Sequence, residues 1–254
     1  MSNTVSYRIG SLKNRHLPFA QVAEMGIKGL ELVWEPDTTA ALVKAALGSC
    51  NLSVASIQVP CPLEDQNLPK TIGAQAAQAA ELGARYLFVS AHAGEKMPKS
   101  EAYDRLRRVG DAVAVHQVFL AMETHPDLCQ NGDQMAETMK GVNHPWVGVN
   151  YDTANIYYYN ENVDTIAELN KVISHVRGVH LKDTFGGYRD GKFPVFGEGI
   201  VDFAAVGKAL REGGYTGACA MELEGGTFDP SKPEDLAQKV ARCVAHLKKV
   251  GFGG

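Results

Sequence analysis

Four short runs in this chain finish in the same way. "AMETHP" (121–126), "GVNYDTAN" (148–155), "GVHLKD" (178–183) and "ACAMELEG" (218–225) each begin apolar and end in ionisable groups. The first carboxylate or imidazole in each is Glu123, Asp152, His180 and Glu222. A single Glu at the end of an apolar run is ordinarily a solvated loop residue. Three carboxylates and an imidazole brought together out of water are different, because mutual repulsion and desolvation would force them to protonate. A shared divalent cation removes that problem. The O3N donor set suits Mn²⁺ first, with Mg²⁺, Co²⁺ and Zn²⁺ as alternatives. Such an ion polarises carbonyl oxygens as a Lewis acid.

The site exists only if other elements bring these runs together. Strand-like segments fall at 5–12, 29–35, 52–59, 85–92, 117–124, 146–152, 176–183 and 217–224. Helical periodicity occupies 18–26, 37–50 (with Asp37 as the expected N-cap), 71–84, 99–116, 133–142, 163–174, 203–215 and 233–251. A long loop, 184–202, separates the seventh strand from its helix. Strict alternation of this kind implies a parallel sheet covered by helices. Eight units in about 250 residues predict a single (β/α)8 TIM barrel over 1–254. A doubly wound open sheet is the alternative, but no G-x-G-x-x-G follows the first strand. In a barrel the four runs end at the catalytic face, which answers why each finishes in a polar group. Alternate residues share a face. Facing Glu123, Asp152, His180 and Glu222 inward also turns in Phe119, Ala121, Gly148, Asn150, Gly178, Ala218 and Ala220, and turns Leu120, Met122, Val149, Val179, Leu181 and Met221 outward.

Bulk properties narrow the function classes. The net charge of −4, with no Lys/Arg run longer than two, disfavours a nucleic-acid partner. No apolar stretch approaches the roughly 20 residues that span a bilayer, and no secretory signal is visible at the start of the chain. The five cysteines are scattered, without a C-x-x-C pair, so a cytoplasmic setting is expected, with Cys219 a buried core thiol.

Further residues near the strand ends are candidates for binding substrate. Lys182 shares the parity of His180, two residues nearer the mouth, and would bind a substrate oxygen, protonate a leaving group, or simply pair with a carboxylate. His92 and His125 would touch substrate or orient a ligand. Glu31 and Glu35 share a face of the second strand, Glu31 as a barrel-top hydrogen-bonding group and Glu35 as a solvated residue before a proline. The "FGEG" loop (196–199) would offer backbone N–H groups to an anion, with Glu198 reaching the mouth or lying in solvent. Tyr157, Tyr158, Tyr159 and Trp34 would wall a sugar ring, or at least one tyrosine would pack in the core.

The runs "METHP", "DTAN", "VHLKD", "FGEGIVDF" and "AMELEG" together resemble the sugar isomerase/epimerase superfamily of xylose isomerase-like barrels, the group of tagatose 3-epimerase, hydroxypyruvate isomerase and inosose dehydratase. The resemblance covers nearly the whole chain. It implies a single-metal site at Glu123, Asp152, His180 and Glu222, with Glu123 and Glu222 also serving as acid and base. The epimerases carry D-x-x-H where this chain has Asp152 to Asn155, and an arginine six residues after the ligand histidine where this chain has Gly186. Both family residues touch substrate, so Asn155 is a candidate substrate contact. The resemblance therefore implies a divalent-metal-dependent isomerase or epimerase acting on a keto sugar or sugar phosphate through a stabilised enediolate. The alternatives are a metal-dependent lyase or dehydratase on an oxidised sugar, glycoside or inositol derivative, and a barrel subunit with little activity alone. A homo-oligomer is also implied.

Overall fold

The computed structural model describes residues 3–253. Among them, eight strands close into a parallel barrel in chain order: β1 (Val5–Ser11), β2 (Gly29–Val33), β3 (Ser53–Gln58), β4 (Tyr86–Val89), β5 (Phe119–Glu123), β6 (Val147–Asp152), β7 (Val176–Leu181) and β8 (Cys219–Met221). β8 returns to β1 through Val5 opposite Cys219 and Tyr7 opposite Met221. Around it run α1 (Phe19–Glu24), α2 (Ala40–Leu47), α3 (Leu68–Glu81), α4 (Lys99–Ala114), α5 (Gly132–Val142), α6 (Asn155–Tyr159), α7 (Thr165–Val172), α8 (Phe203–Glu212) and α9 (Pro233–Lys249). No helix among the described residues is long and apolar enough to cross a membrane.

The expected parity holds. Leu120, Met122, Val149, Val179, Leu181, Cys219 and Met221 are buried in the main apolar core between strands and helices. Inside the barrel, Tyr86, Phe88 and Ala121 form a separate small cluster with Phe119 against it. Gly178 is needed there: a Cβ on it would stand 2.3 Å from the Asn150 side chain and 2.6 Å from the Tyr86 ring. Small interior residues on β5 to β8 thus leave room for two aromatic rings beneath a polar layer.

The strands are shorter than expected, β4 ending at Val89 and β8 spanning only Cys219–Met221, and three further differences have a clear local cause. α2 begins at Ala40, and its N-cap is Thr39, whose hydroxyl accepts from Leu42 N–H. The expected cap, Asp37, pairs with Lys13 on the surface instead. α3 starts one turn early at Leu68, with a proline in its first turn, where the missing N–H costs nothing. The stretch 155–159 is helical, because Asp152 Oδ1 accepts from the N–H groups of Ala154 and Asn155 at 2.8 Å and starts the turn. One oxygen of a strand-end carboxylate is therefore spent on folding its own loop, leaving the other, Oδ2, without a hydrogen bond.

Candidate metal centre and active site

Ladder register places the four strand-end residues at one level. Glu123 lies opposite Asn150, Asp152 opposite His180, and His180 opposite Ala220, two residues before Glu222. All four are buried. One donor atom from each lies within 4.8 Å of those of the others. His180 Nδ1 is 3.3 Å from Glu222 Oε2, and 4.0 Å from both Glu123 Oε1 and Asp152 Oδ2. Ligands each about 2.1 Å from a common ion stand roughly 3–4 Å apart, so the spacing fits. Asp152 Oδ2, His180 Nδ1 and Glu222 Oε2 are also buried without a hydrogen-bond partner. Such orphans are costly unless something binds them. The donor set and the three orphaned atoms fit a divalent ion held by Glu123, Asp152, His180 and Glu222.

His180 is aimed by Glu31. Its Nε2–H donates to Glu31 Oε1 at 2.8 Å, and Glu31 Oε2 accepts from Ser56 Oγ at 2.7 Å, both carboxylate and ring fully buried. That bond sets the tautomer and leaves Nδ1 facing the cluster. The Phe88 ring packs against the imidazole with centroids 4.4 Å apart. Glu31 is thus a bridge to the histidine ligand; Glu35 sits apart in the Thr38 turn, partly buried.

Lys182 is the second cation of the site. It is 2% exposed, and its Nζ stands 2.6 Å from Glu222 Oε2, 2.8 Å from Glu224 Oε1 and 3.1 Å from Asp152 Oδ2. Its contacts with Asp152 and Glu222 lie within ion-pair distance but at angles that make no hydrogen bond, which is how those two oxygens are both paired and orphaned. Its hydrogen bonds go to Glu224 and to Asn155 Oδ1. Asn155 Nδ2 reaches back to Glu123 Oε1 at 3.4 Å, so Asn155 links the two charges. Ser90 donates to the other Glu123 oxygen. Arg8, on β1, binds Gln58 and lies 3.5 Å from Glu222 Oε1.

These contacts split the acidities of the carboxylates. Burial, and then the charge of Glu222, push Glu123 up to about 8. Burial likewise raises Asp152 to about 6, against the pull of Lys182. Burial would raise Glu222 too, but Lys182 and His180 outweigh it and hold the carboxyl well below its usual range. Burial opposes the charge on His180, yet Glu31 and Glu222 overcome it and raise the imidazole well above its ordinary value. In metal-free protein Glu123, Asp152 and His180 therefore hold protons more tightly folded than unfolded. Stability should fall as pH rises from about 5 to 8, by about 1.4 kcal/mol per pH unit for each group between its unfolded and folded values: Glu123 throughout, Asp152 up to about 6 and His180 above 6.5. Denaturant midpoints of chelated protein across that range check the slope, and saturating Mn²⁺ should remove it.

A cavity of about 360 Å³ opens above the cluster, lined by Arg8, Gln58, Phe88, Ser90, Glu123, His125, Asn155, Tyr158, Tyr159, Lys182, Gly191, Phe193, Glu222 and Glu224. His125 is in this wall, half-buried, its ring against Tyr159 and its pKa lowered by burial. His92 is not: it is exposed, donates to Pro126 O at 2.6 Å and packs edge-on against His125. Glu198 is not either; it turns outward and pairs with Arg242, an exposed partner that outcompetes the distant mouth. Trp34 and Tyr157 pack against the core, while Tyr158 and Tyr159 form the wall. The FGEG loop does cradle an anion, but the anion is Asp183: Oδ2 accepts from Gly197 and Gly199 N–H, and Oδ1 from Val201 and Thr184 N–H. A larger cavity of about 700 Å³ lies at the other end of the barrel, among Arg85, Tyr86, Arg177 and Tyr215, and contains none of the strand-end carboxylates. Arg8, Gln58, Ser90 and Glu224 escaped the sequence reading. Arg8 and Gln58 come from strands with no acidic terminal run, whereas Glu224 shared the parity of Glu222 and could have been found from it.

Similarity to known proteins agrees with this geometry. An inosose dehydratase of Geobacillus thermodenitrificans is 25% identical over 241 residues, covering 81% of this chain and 80% of that protein. An L-ribulose-5-phosphate 3-epimerase UlaE of Escherichia coli is 32% identical over 154 residues; the match covers 59% of this chain and spans about half (51%) of the epimerase. The crystal structure of a xylose isomerase domain protein from Planctomyces limnophilus superposes with a TM-score of 0.82 at 20% identity, covering 98% of both chains. Residues 19–249, nearly all of the barrel and every strand end described above except those of β1, match the family of xylose isomerase-like TIM barrels, and the chain belongs to that family.

Proposed function

We propose that the protein is a divalent-metal-dependent isomerase or epimerase that moves a proton at the carbon beside the carbonyl of a keto sugar or keto sugar derivative. The observation that carries this reading is the convergence of the orphaned Asp152 Oδ2, His180 Nδ1 and Glu222 Oε2 with Glu123 at the floor of a sugar-sized cavity. Both named relatives act, by their names, on polyhydroxy compounds, one as a dehydratase and one as an epimerase. A bound divalent ion supplies Lewis-acid polarisation of the carbonyl.

The chain's own residues do the rest. Glu123, held in the cavity wall by Ser90 and Asn155, takes or gives a proton from its side of the substrate. Glu222 does the same from its own strand end, and Arg8 and Lys182 keep it ionised. Removal by one and return by the other on the opposite face inverts the carbon; return by the same residue at the neighbouring carbon isomerises it. Asn155 holds Glu123 and Lys182 in fixed relation, and Glu31 keeps His180 turned toward the cluster. Tyr158, Tyr159 and Phe193 exclude water around the reacting carbon.

One observation favours a second reading. Lys182 is a buried ammonium beside Glu222, placed to protonate a departing hydroxyl after the same proton abstraction. With that step the enzyme is a dehydratase. Two measurements test both readings together. Purified protein should carry about one divalent ion per chain, and incubation with keto sugars in D2O should place deuterium beside the carbonyl. Retained carbon–oxygen bonds would point to the epimerase and an unsaturated product to the dehydratase. Protein that binds no divalent ion after Mn²⁺ or Co²⁺ supplementation would sink both.

A further inference from the structure

The charge inventory of the cavity limits what can enter it. Five carboxylates stand in or beneath it: Glu31, Glu123, Asp152 and Glu222 at the floor and Glu224 at the mouth. Against them stand the side-chain cations Arg8 and Lys182 and the divalent ion the cluster fits, with His180 neutral when it serves as a ligand. One negative charge is left over. Neither cation is free. Arg8 is held by Gln58 and lies beside Glu31 and Glu222. Lys182 is held by Asp152, Glu222, Glu224 and Asn155.

The glycine-rich segment 196–201 is not an open anion site either, because it directs the N–H groups of Gly197, Gly199 and Val201 onto Asp183, joined by that of Thr184. Gly199 is explained by that carboxylate, since a Cβ on it would stand 2.2 Å from Asp183 Oδ1, whereas Gly197 takes φ +86° and a Cβ there would stand 2.4 Å from the His246 ring. Those four amides are occupied by the protein's own carboxylate and are not offered to a phosphate.

What remains of the wall is mainly aromatic, Phe88, Tyr158, Tyr159 and Phe193 with Gln58 and Ser90, together with the half-buried His125, whose Nδ1–H donates to Pro126 O and whose pKa burial lowers. Aromatic faces suit the C–H face of a sugar ring, and the amide and hydroxyl suit its hydroxyls. The volume of about 360 Å³ is at the small end of the ~300–1,000 Å³ typical of ligand pockets. It has room for a sugar ring.

We propose that this site takes an uncharged polyhydroxy ketone and rejects its phosphate esters, a proposal that rests on the proton-transfer reading above. It chooses between the two kinds of compound named for the relatives, an inosose and a pentulose phosphate.

The test uses the full-length protein loaded with Mn²⁺ and paired probes: free ribulose, fructose and tagatose, each beside its phosphate ester, together with an inosose. Deuterium incorporation from D2O is followed by NMR. At least one free ketone should exchange with kcat/KM about 100-fold above any ester, the size expected from an added dianion near an unpaired carboxylate. Faster exchange with an ester would overturn the charge inference and leave the proton-transfer reading standing. Exchange with no probe of either kind, in protein that holds its metal, would overturn the proton-transfer reading and this inference with it. Glu224→Gln separates charge from shape. It removes one carboxylate at the mouth and should narrow the preference for the free ketone by about tenfold. A preference unchanged in a folded Glu224→Gln protein would mean that sterics set the selectivity, contrary to the proposal.

Discussion

Glu222→Gln is expected to lower solvent exchange into substrate by at least about 10³-fold while leaving the fold in place. The exchange removes a carboxylate and keeps the shape. Glu222 is at once a member of the donor cluster, the partner of Lys182 at 2.6 Å and a neighbour of Arg8 at 3.5 Å. A neutral amide there weakens the grip on a divalent ion and withdraws one of the two proton-transfer groups. General acid–base catalysis alone is worth about 10²–10⁴-fold, and loss of a metal ligand adds to it. The strand around it has no reason to change, since Met221 and Cys219 on the outer face carry the packing. Circular dichroism and metal content, measured with turnover, check the case. Full turnover in the variant would remove Glu222 from the mechanism.

The second large effect is on stability and metal affinity together. In Lys182→Met the unbranched side chain can still lie against Phe193, over whose ring Nζ sits at 4.9 Å. What disappears is the ammonium shared by Asp152, Glu222 and Glu224. Removing one partner of a buried ion pair costs about 3–5 kcal/mol, because the buried charges of Asp152 and Glu222 lose their nearest counter-ion and regain no water. Metal-free protein should therefore melt about 6–20 °C lower than wild type. Saturating Mn²⁺ should recover most of that loss, and the ion should bind at least about tenfold more tightly than in wild type, because no ammonium competes for Asp152 and Glu222. Calorimetric melting with chelator and with Mn²⁺, alongside a metal titration, measures both effects. Weaker metal binding in the variant would show that Lys182 assembles the cluster rather than sharing its charge.

The strand ends were legible because their signals are local. Period-two alternation told which of Ala121, Met122 and Glu123 face inward, and apolar runs broken by helices told that the sheet is parallel. The same local logic extended to Lys182, which kept the parity of His180 and stands in the cavity as that parity requires. It failed at loops. Glu198 follows a glycine in a segment with no period, and only the packing of 196–201 around Asp183 turns it toward Arg242. His92 follows the end of β4, where parity no longer constrains the chain, and lies outside the cavity wall.

By itself, then, the amino-acid sequence determined the alternation of elements, the inward face of each strand and the four strand-end donors, since each follows from neighbours a few residues apart. Closure of the barrel decided what those donors meet. It carries Glu31 to His180 across 149 residues of chain, and brings Arg8 from the first strand beside Glu222 on the last. No periodicity encodes such contacts. They arise when β8 pairs with β1, and the charges on opposite sides of the sheet become neighbours in a space that water no longer screens.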